Sequence, residues 1–218
     1  ILAFSAWSPD SSAGNDTAAV VAKHVGNPVV LLPYQQGFEG TAVETYFGGE
    51  FAMDSIQEWD FFTSEAEGRL RTASTYQKTG ARGLTMDRDP SGAFTVNDAV
   101  LTLNMSNYTT ADTIFLRFSF AHHGEESQPN NAVFFRGADT ASWILIYDWW
   151  ANRGAPGTYV DVDFINLSQK LADYGQVWSS SSQLRWGQED NFPATSATAS
   201  DGLTIDDVEV YEVPDFDL

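Results

Sequence analysis

In the run Thr113–Phe120 every even position is apolar: Ile114, Leu116, Phe118 and Phe120. A period of two is what a strand shows when one face packs and the other meets water. The same signal returns in Asp98–Leu103, Ala132–Arg136, Ser142–Tyr147, Gly157–Phe164, Gln183–Trp186, Leu203–Ile205 and Val208–Tyr211. The runs recur about every 10–20 residues with Gly, Pro, Asn and Asp between them, a spacing that selects antiparallel sheets over βαβ units. Only Leu167–Tyr174 has helical spacing, one or two turns long. The expected fold class is all-β, an antiparallel jelly-roll β-sandwich preceded by an N-terminal β-hairpin remnant.

With 43% hydrophobic and 14% aromatic residues in 218, the chain can bury a full core, so disorder throughout is excluded. Cysteine is absent, which removes disulfides, thiolate zinc sites and cysteine nucleophiles. Thirty acids against eleven bases give a net charge of −19, a surface that repels phosphate backbones and argues against nucleic acid. No apolar run reaches the roughly 18 residues of a membrane-spanning helix. The chain opens at Ile1 with no signal peptide in view, as expected of a processed or excised piece.

Residues 1–25 read as a hairpin, with strands at Ile1–Trp7 and Thr17–Val25 around a polar turn. Gly14-Asn15-Asp16-Thr17 in that turn resembles the final turn of immunoglobulin-like repeats in bacterial surface proteins, so 1–25 is expected to be the terminal hairpin of such a repeat. Residues 26–33, with Pro28 and Pro33, read as a linker. The main domain is expected at 34–213, with 214–218 the start of a following linker.

Within that domain lie Gln36-Gly37-Phe38-Glu39-Gly40, then Trp59-Asp60-Phe61, Gly68-Arg69-Leu70 and Gly83-Leu84-Thr85-Met86-Asp87. Leu184–Asn191 and Asp201–Val208 complete the series. In this order the segments resemble MAM-type, concanavalin-like jelly-roll modules, closest to the cysteine-free bacterial versions on exported proteases and adhesins. The resemblance implies a structural calcium joining the first and last strands, with Glu39 and Asp206 or Asp207 as ligands and Asp87 as a further candidate. The residues add a signal of their own. Leu203 and Ile205 share one parity and Val208 and Val210 the other, so the buried face switches at Asp206-Asp207. A β-bulge there would re-aim a carboxylate inward. The alternative is that these acids cap turns or pair with Arg82 or Arg185.

His122-His123-Gly124-Glu125-Glu126 invites a zinc proposal, yet neighbours on a strand point to opposite faces and the remaining histidine is His24. A polar loop at a strand end is the preferred reading. Glu58, Asp60 and Glu65 lack the spacing of a glycosidase acid pair. No Gly-x-Ser-x-Gly is present for a serine nucleophile. No catalytic residue is therefore assigned. The ligand-binding candidate is Asp148-Trp149-Trp150-Ala151-Asn152-Arg153 at a strand exit. Exposed Trp149 or Trp150 would stack on a sugar, and Asp148, Asn152 and Arg153 would bond its hydroxyls; the alternative is that the Trp side chains seal the core. Trp59, Trp143, Trp178 and Trp186 are expected in the core.

Asp followed by Ser or Thr and a small or aliphatic residue occurs at Thr17, Ser55, Thr113 and Thr140. The pattern resembles a bacterial O-glycosylation acceptor, which would require export. The expected function is a non-catalytic binding or adhesion module of a large exported bacterial surface protein. It would be stabilised by calcium and would recognise a glycan or a cell-surface protein beside neighbouring domains of its own chain. The alternatives are an accessory or catalytic domain of a secreted protease or glycosidase, or a spacer or secretion-cargo segment.

Overall fold

The computed structural model describes residues 2–4, 17–19, 26–41, 45–47, 56–73, 75–90, 94–190 and 201–213. In chain order the strands are β1 (Leu2–Phe4), β2 (Thr17–Ala19), β3 (Tyr34–Gln36), β4 (Thr45–Phe47), β5 (Trp59–Thr63), β6 (Gly68–Ala73) and β7 (Gly83–Arg88). They continue with β8 (Thr95–Leu103), β9 (Ile114–His122), β10 (Val133–Arg136), β11 (Ile144–Tyr147), β12 (Val160–Asn166), β13 (Ser182–Asp190) and β14 (Leu203–Glu212). The one helix described, α1 (Leu167–Asp173), buries Leu167 and Leu171, and its first turn is closed by Asn166 Oδ1 accepting from the Gln169 N–H at 2.9 Å.

Two antiparallel sheets face each other. One has five strands in the order β11-β10-β13-β8-β5; the other has seven, β12-β9-β14-β7-β6-β4 with β3 also paired to β14. The chain alternates between them, β8 to β9, β11 to β12 and β13 to β14, so both inner faces fill one core. Trp59 and Trp186 from the smaller sheet stack at 5.3 Å, and Phe118 of the larger sheet meets Trp186 edge-on at 5.7 Å. All three are at most 2% exposed, and each large apolar side chain so buried is worth about 1.5–3 kcal/mol. The all-β sandwich expectation holds.

One side chain differs from expectation. Trp143 is only half-buried, on the outer face of the smaller sheet, where the Arg136 and Arg185 guanidiniums lie 4.2 and 4.8 Å from its ring. The segment 26–33 is held against the sheets: Val30 N–H bonds the Asn104 carbonyl at 2.9 Å and Leu32 N–H bonds Tyr108 Oη at 3.1 Å. Of the 1–25 hairpin, β1 and β2 pair as expected and the remainder falls outside the described residues.

Among the described residues the larger sheet carries two bulges, one on each side of β9. Between Asp206 and Glu209, β14 gains a residue against Ser119 and Arg117. Between Val162 and Ile165, β12 shifts against Phe118 and Leu116. The first is the bulge that the parity switch at Asp206-Asp207 predicts.

Candidate functional site

The two bulges buckle the sheet and leave a groove of about 500 Å³ over the outer face of β9. Its floor is two rows of side chains running across strands. One row is Asp161, Ser119 and Asp207; the next is Asp163, Arg117, Glu209 and Gln35. Lys78 reaches in from the side. Its Nζ donates to Ser119 Oγ at 2.9 Å and to Asp161, while Ser119 Oγ donates to Asp161 Oδ1 at 2.7 Å. The hydrogen bonds from Lys78 and Ser119 hold the Asp161 carboxyl below its ordinary pKa. Arg117 pairs with Glu209, whose other oxygen accepts from Gln35 Nε2 at 3.1 Å.

The loop 75–82 that delivers Lys78 is held by three of the four acids expected to bind metal. Asp206 is fully buried; its Oδ2 accepts from the Lys78 and Thr79 N–H groups at 2.8 and 3.2 Å, and its Oδ1 from the Asp207 N–H at 2.7 Å. Burial pushes its carboxyl pKa up, and these backbone donors pull the other way. Asp207 Oδ1 accepts from Thr79 Oγ1 at 2.6 Å. Glu39 accepts from the Ala81 and Arg82 N–H groups at 2.8 and 3.0 Å. Glycine suits position 80 beneath it: φ is +61° there, and an added Cβ would lie 2.1 Å from Glu39 Oε1 and push that carboxylate off its N–H donors.

Glu39, Asp206 and Asp207 are thus brought together, but as caps of a loop. A calcium ion needs six to eight oxygens; here Glu39 and Asp206 spend hydrogen bonds on N–H donors that shape the loop. Asp87 lies elsewhere, fully buried, with Arg69 Nε at 2.6 Å and Arg71 Nη2 at 2.5 Å. A different acidic group was not anticipated: oxygens of Glu125, Glu126 and Asp201 lie within 4.8 Å of one another. Glu125 there accepts from Gln188 Nε2 and the Gly202 N–H, both at 2.6 Å. The sequence signal was the Glu125-Glu126 pair, but only the fold supplies Asp201.

The Trp149-Trp150 turn is built inward. Trp149 is fully buried, with Nε1 donating to the Gly187 carbonyl at 2.9 Å, so it offers no face to a ligand. Trp150 is half-buried, and the Arg153 guanidinium covers its ring at 3.3 Å from the centroid. Asp148 Oδ1 accepts from the Ala151 N–H at 2.8 Å, and Asn152 Nδ2 donates to the Asp148 carbonyl at 2.7 Å. The motif closes its own turn, because the chain leaves β11 with Trp149 directed at Phe120, 6.2 Å away.

His122 and His123 are buried rather than loop-exposed, and they face opposite ways. His122 Nε2 meets the Gly154 carbonyl at 3.1 Å; His123 Nε2 meets Thr204 Oγ1 at 2.7 Å and its ring lies 4.6 Å from that of Tyr76. Of the candidate glycosylation positions, Thr140 is exposed, Thr113 is half-buried, Thr17 lies in β2 and Ser55 is outside the described residues.

No protein-family model matches the chain, and no curated protein matches it in sequence. Among solved structures it is similar to the glycoside hydrolase domain of Endo-D from Streptococcus pneumoniae R6, at 15% identity and a TM-score of 0.42 over 86% of this chain. That match spans only 28% of the Endo-D structure. It is also similar to the CBM22-1 xylan-binding domain of Paenibacillus barcinonensis Xyn10C, at 12% identity and TM-score 0.35, covering 81% of this chain and 99% of that one. A third is the family 11 carbohydrate-binding module of a Clostridium thermocellum cellulosomal cellulase, at 8% identity and TM-score 0.37, covering 82% and 100%.

Proposed function

We propose that the chain is a non-catalytic glycan-binding module that holds a stretch of polysaccharide in the groove over β9. The observation that carries this reading is the floor itself. Carboxylate, hydroxyl, guanidinium, ammonium and amide groups alternate across four strands within one hollow of about 500 Å³. That is the donor and acceptor density a hydroxyl-rich ligand needs, in a volume typical of ligand sites. A second feature supports it. Three described non-glycine residues have left-handed φ: Phe38 at 60°, Phe164 at 62° and Asp207 at 51°. Asp207 lines the groove, and the other two directly follow Gly37 and Asp163, which also line it. Backbone strain of this kind collects where a site is pre-shaped.

Binding is favoured over hydrolysis because two of the acids that line the groove are already paired with cations and the buried one beneath it is capped by N–H groups. General-acid catalysis needs a carboxyl with a raised pKa within reach of the scissile bond. Asp161 is held low by Lys78, and Glu209 is paired with Arg117. Asp206 is raised but fully buried and bound to three N–H groups. The MAM-like order of motifs and the acidic composition support placing the module in an exported or cell-surface bacterial protein. The test is affinity electrophoresis and calorimetry against xylan, mixed-linkage β-glucan and dextran. Saturable binding to at least one, lost in Arg117→Ala with the fold intact and without release of reducing ends, is the expected result. Silence across the set would overturn the reading, and release of reducing ends would replace it with the hydrolase.

A further inference from the structure

We propose that Phe164, with Phe115 and Tyr211, forms a stacking subsite that extends the groove and takes the apolar C–H face of a ring in a neutral glycan; this rests on the glycan-binding reading above. Phe164 is 73% exposed, and its φ of 62° is a conformation that bulky L-residues avoid. An exposed ring gains little from packing to offset that strain, and Gly or Asn would sit there with less of it. The bulge in β12 is what turns the ring outward.

Its neighbours make the position more than an accident of the turn. Phe164 meets Phe115 edge-on at 6.4 Å, and Phe115 stacks on Tyr211 at 5.8 Å with 23° between planes. Tyr211 and Phe115 are paired in register, two residues along from Glu209 and Arg117 on the same face. The aromatic row therefore lies next to the second polar row of the groove. A pyranose is amphipathic in just this way, with hydroxyls at its rim and C–H groups on its face. The charge of the lining narrows the class. Asp161, Asp163, Asp207 and Glu209 outnumber Lys78 and Arg117, so a uronate or sulfated chain is repelled while a neutral one is not.

The test is Phe164→Gly, which removes the ring and relaxes the backbone, with Phe164→Asn as a second variant that also tolerates left-handed φ. Both are compared with the unaltered protein by calorimetry on xylan, mixed-linkage β-glucan, dextran and the anionic polygalacturonate. The expected result is a roughly tenfold or greater loss of affinity for the bound neutral polymer. The melting temperature should stay equal or rise, Phe164→Trp should keep the affinity, and polygalacturonate should not bind. Unchanged affinity in both variants would overturn the subsite and leave the groove reading standing. A melting temperature lowered in both would make Phe164 a packing residue and overturn it too. Equal binding of polygalacturonate would overturn the neutral class, and no binding by the unaltered protein would remove the groove reading and the subsite together.

Discussion

The turn after β11 and the groove over β9 draw on the same residue types, yet their side chains face opposite ways. In the turn, Asp148, Asn152 and Arg153 bond backbone atoms of the turn itself, Arg153 covers Trp150, and Trp149 fills the core. In the groove, Lys78, Arg117, Asp161 and Glu209 bond one another across strands and keep a hollow beside them. The first uses aromatic and charged groups to close a chain reversal; the second sets them in rows on an open face. A local cluster in sequence can satisfy itself locally. Residues gathered from three strands and a loop pair across the sheet instead, and the hollow they leave beside them is open to a ligand.

The strongest way to break this contrast is Trp149→Ala. If Trp149 is a core residue, the variant should lose about 3–5 kcal/mol of stability in urea unfolding, while folded molecules bind glycan as before. A small loss of stability together with lost binding would reverse the roles of the two regions.

Next in size is a pH effect that joins them, because His122 points to the turn and His123 to the loop bounding the groove. Burial, then the neighbouring His122 and Arg71, push the His123 pKa down to about 4. The unfolded histidine takes its proton near pH 6.5, while the folded one stays neutral until about pH 4. Stability present above pH 6.5 is therefore lost progressively between those values, by up to about 3 kcal/mol. His122, lowered chiefly by burial, acts in the same sense. Asp98 and Asp206, raised by burial, act in the opposite sense. The difference between the unaltered protein and His123→Gln isolates the term: melting temperatures across pH 4–7 should fall less steeply with acid in the variant. Parallel curves would show that His123 takes its proton at the same pH in the fold as in the unfolded chain, and would remove this term.

Much of the architecture was legible because strand burial has a period of two. That pattern marks β8 to β14, and the parity switch at Asp206-Asp207 marks the bulge in β14. The side-chain roles were less legible, for a physical reason. Whether a Trp at a strand exit turns in or out depends on the sense of the following turn, and Trp149 and Trp150 carry no mark of it. Arg117, Asp161 and Glu209 each read as an ordinary outward residue; only the register of β12, β9 and β14 sets them in rows. Phe164 reads as one more apolar strand residue, and the bulge that exposes it breaks no visible pattern. The resemblance that suggested calcium at Glu39 and Asp206 led to residues that do converge, and what they hold in the fold is the backbone of loop 75–82.

The smallest effect is the sharpest test of what the turn is. The Arg153 guanidinium lies over Trp150, and its Nη1 donates to the Trp150 carbonyl at 2.6 Å. A cation–π contact of this exposure is worth about 0.5–1 kcal/mol, so Arg153→Ala should lower the melting temperature slightly. Binding offers the second readout. If the turn only closes on itself, uncovering Trp150 changes nothing, because the ring still packs against His122 at 6.2 Å and the groove is untouched. If Arg153→Ala instead raises affinity for a polysaccharide, Trp150 is a stacking face that the arginine had covered, and the turn would rank with the groove as a place where glycan binds.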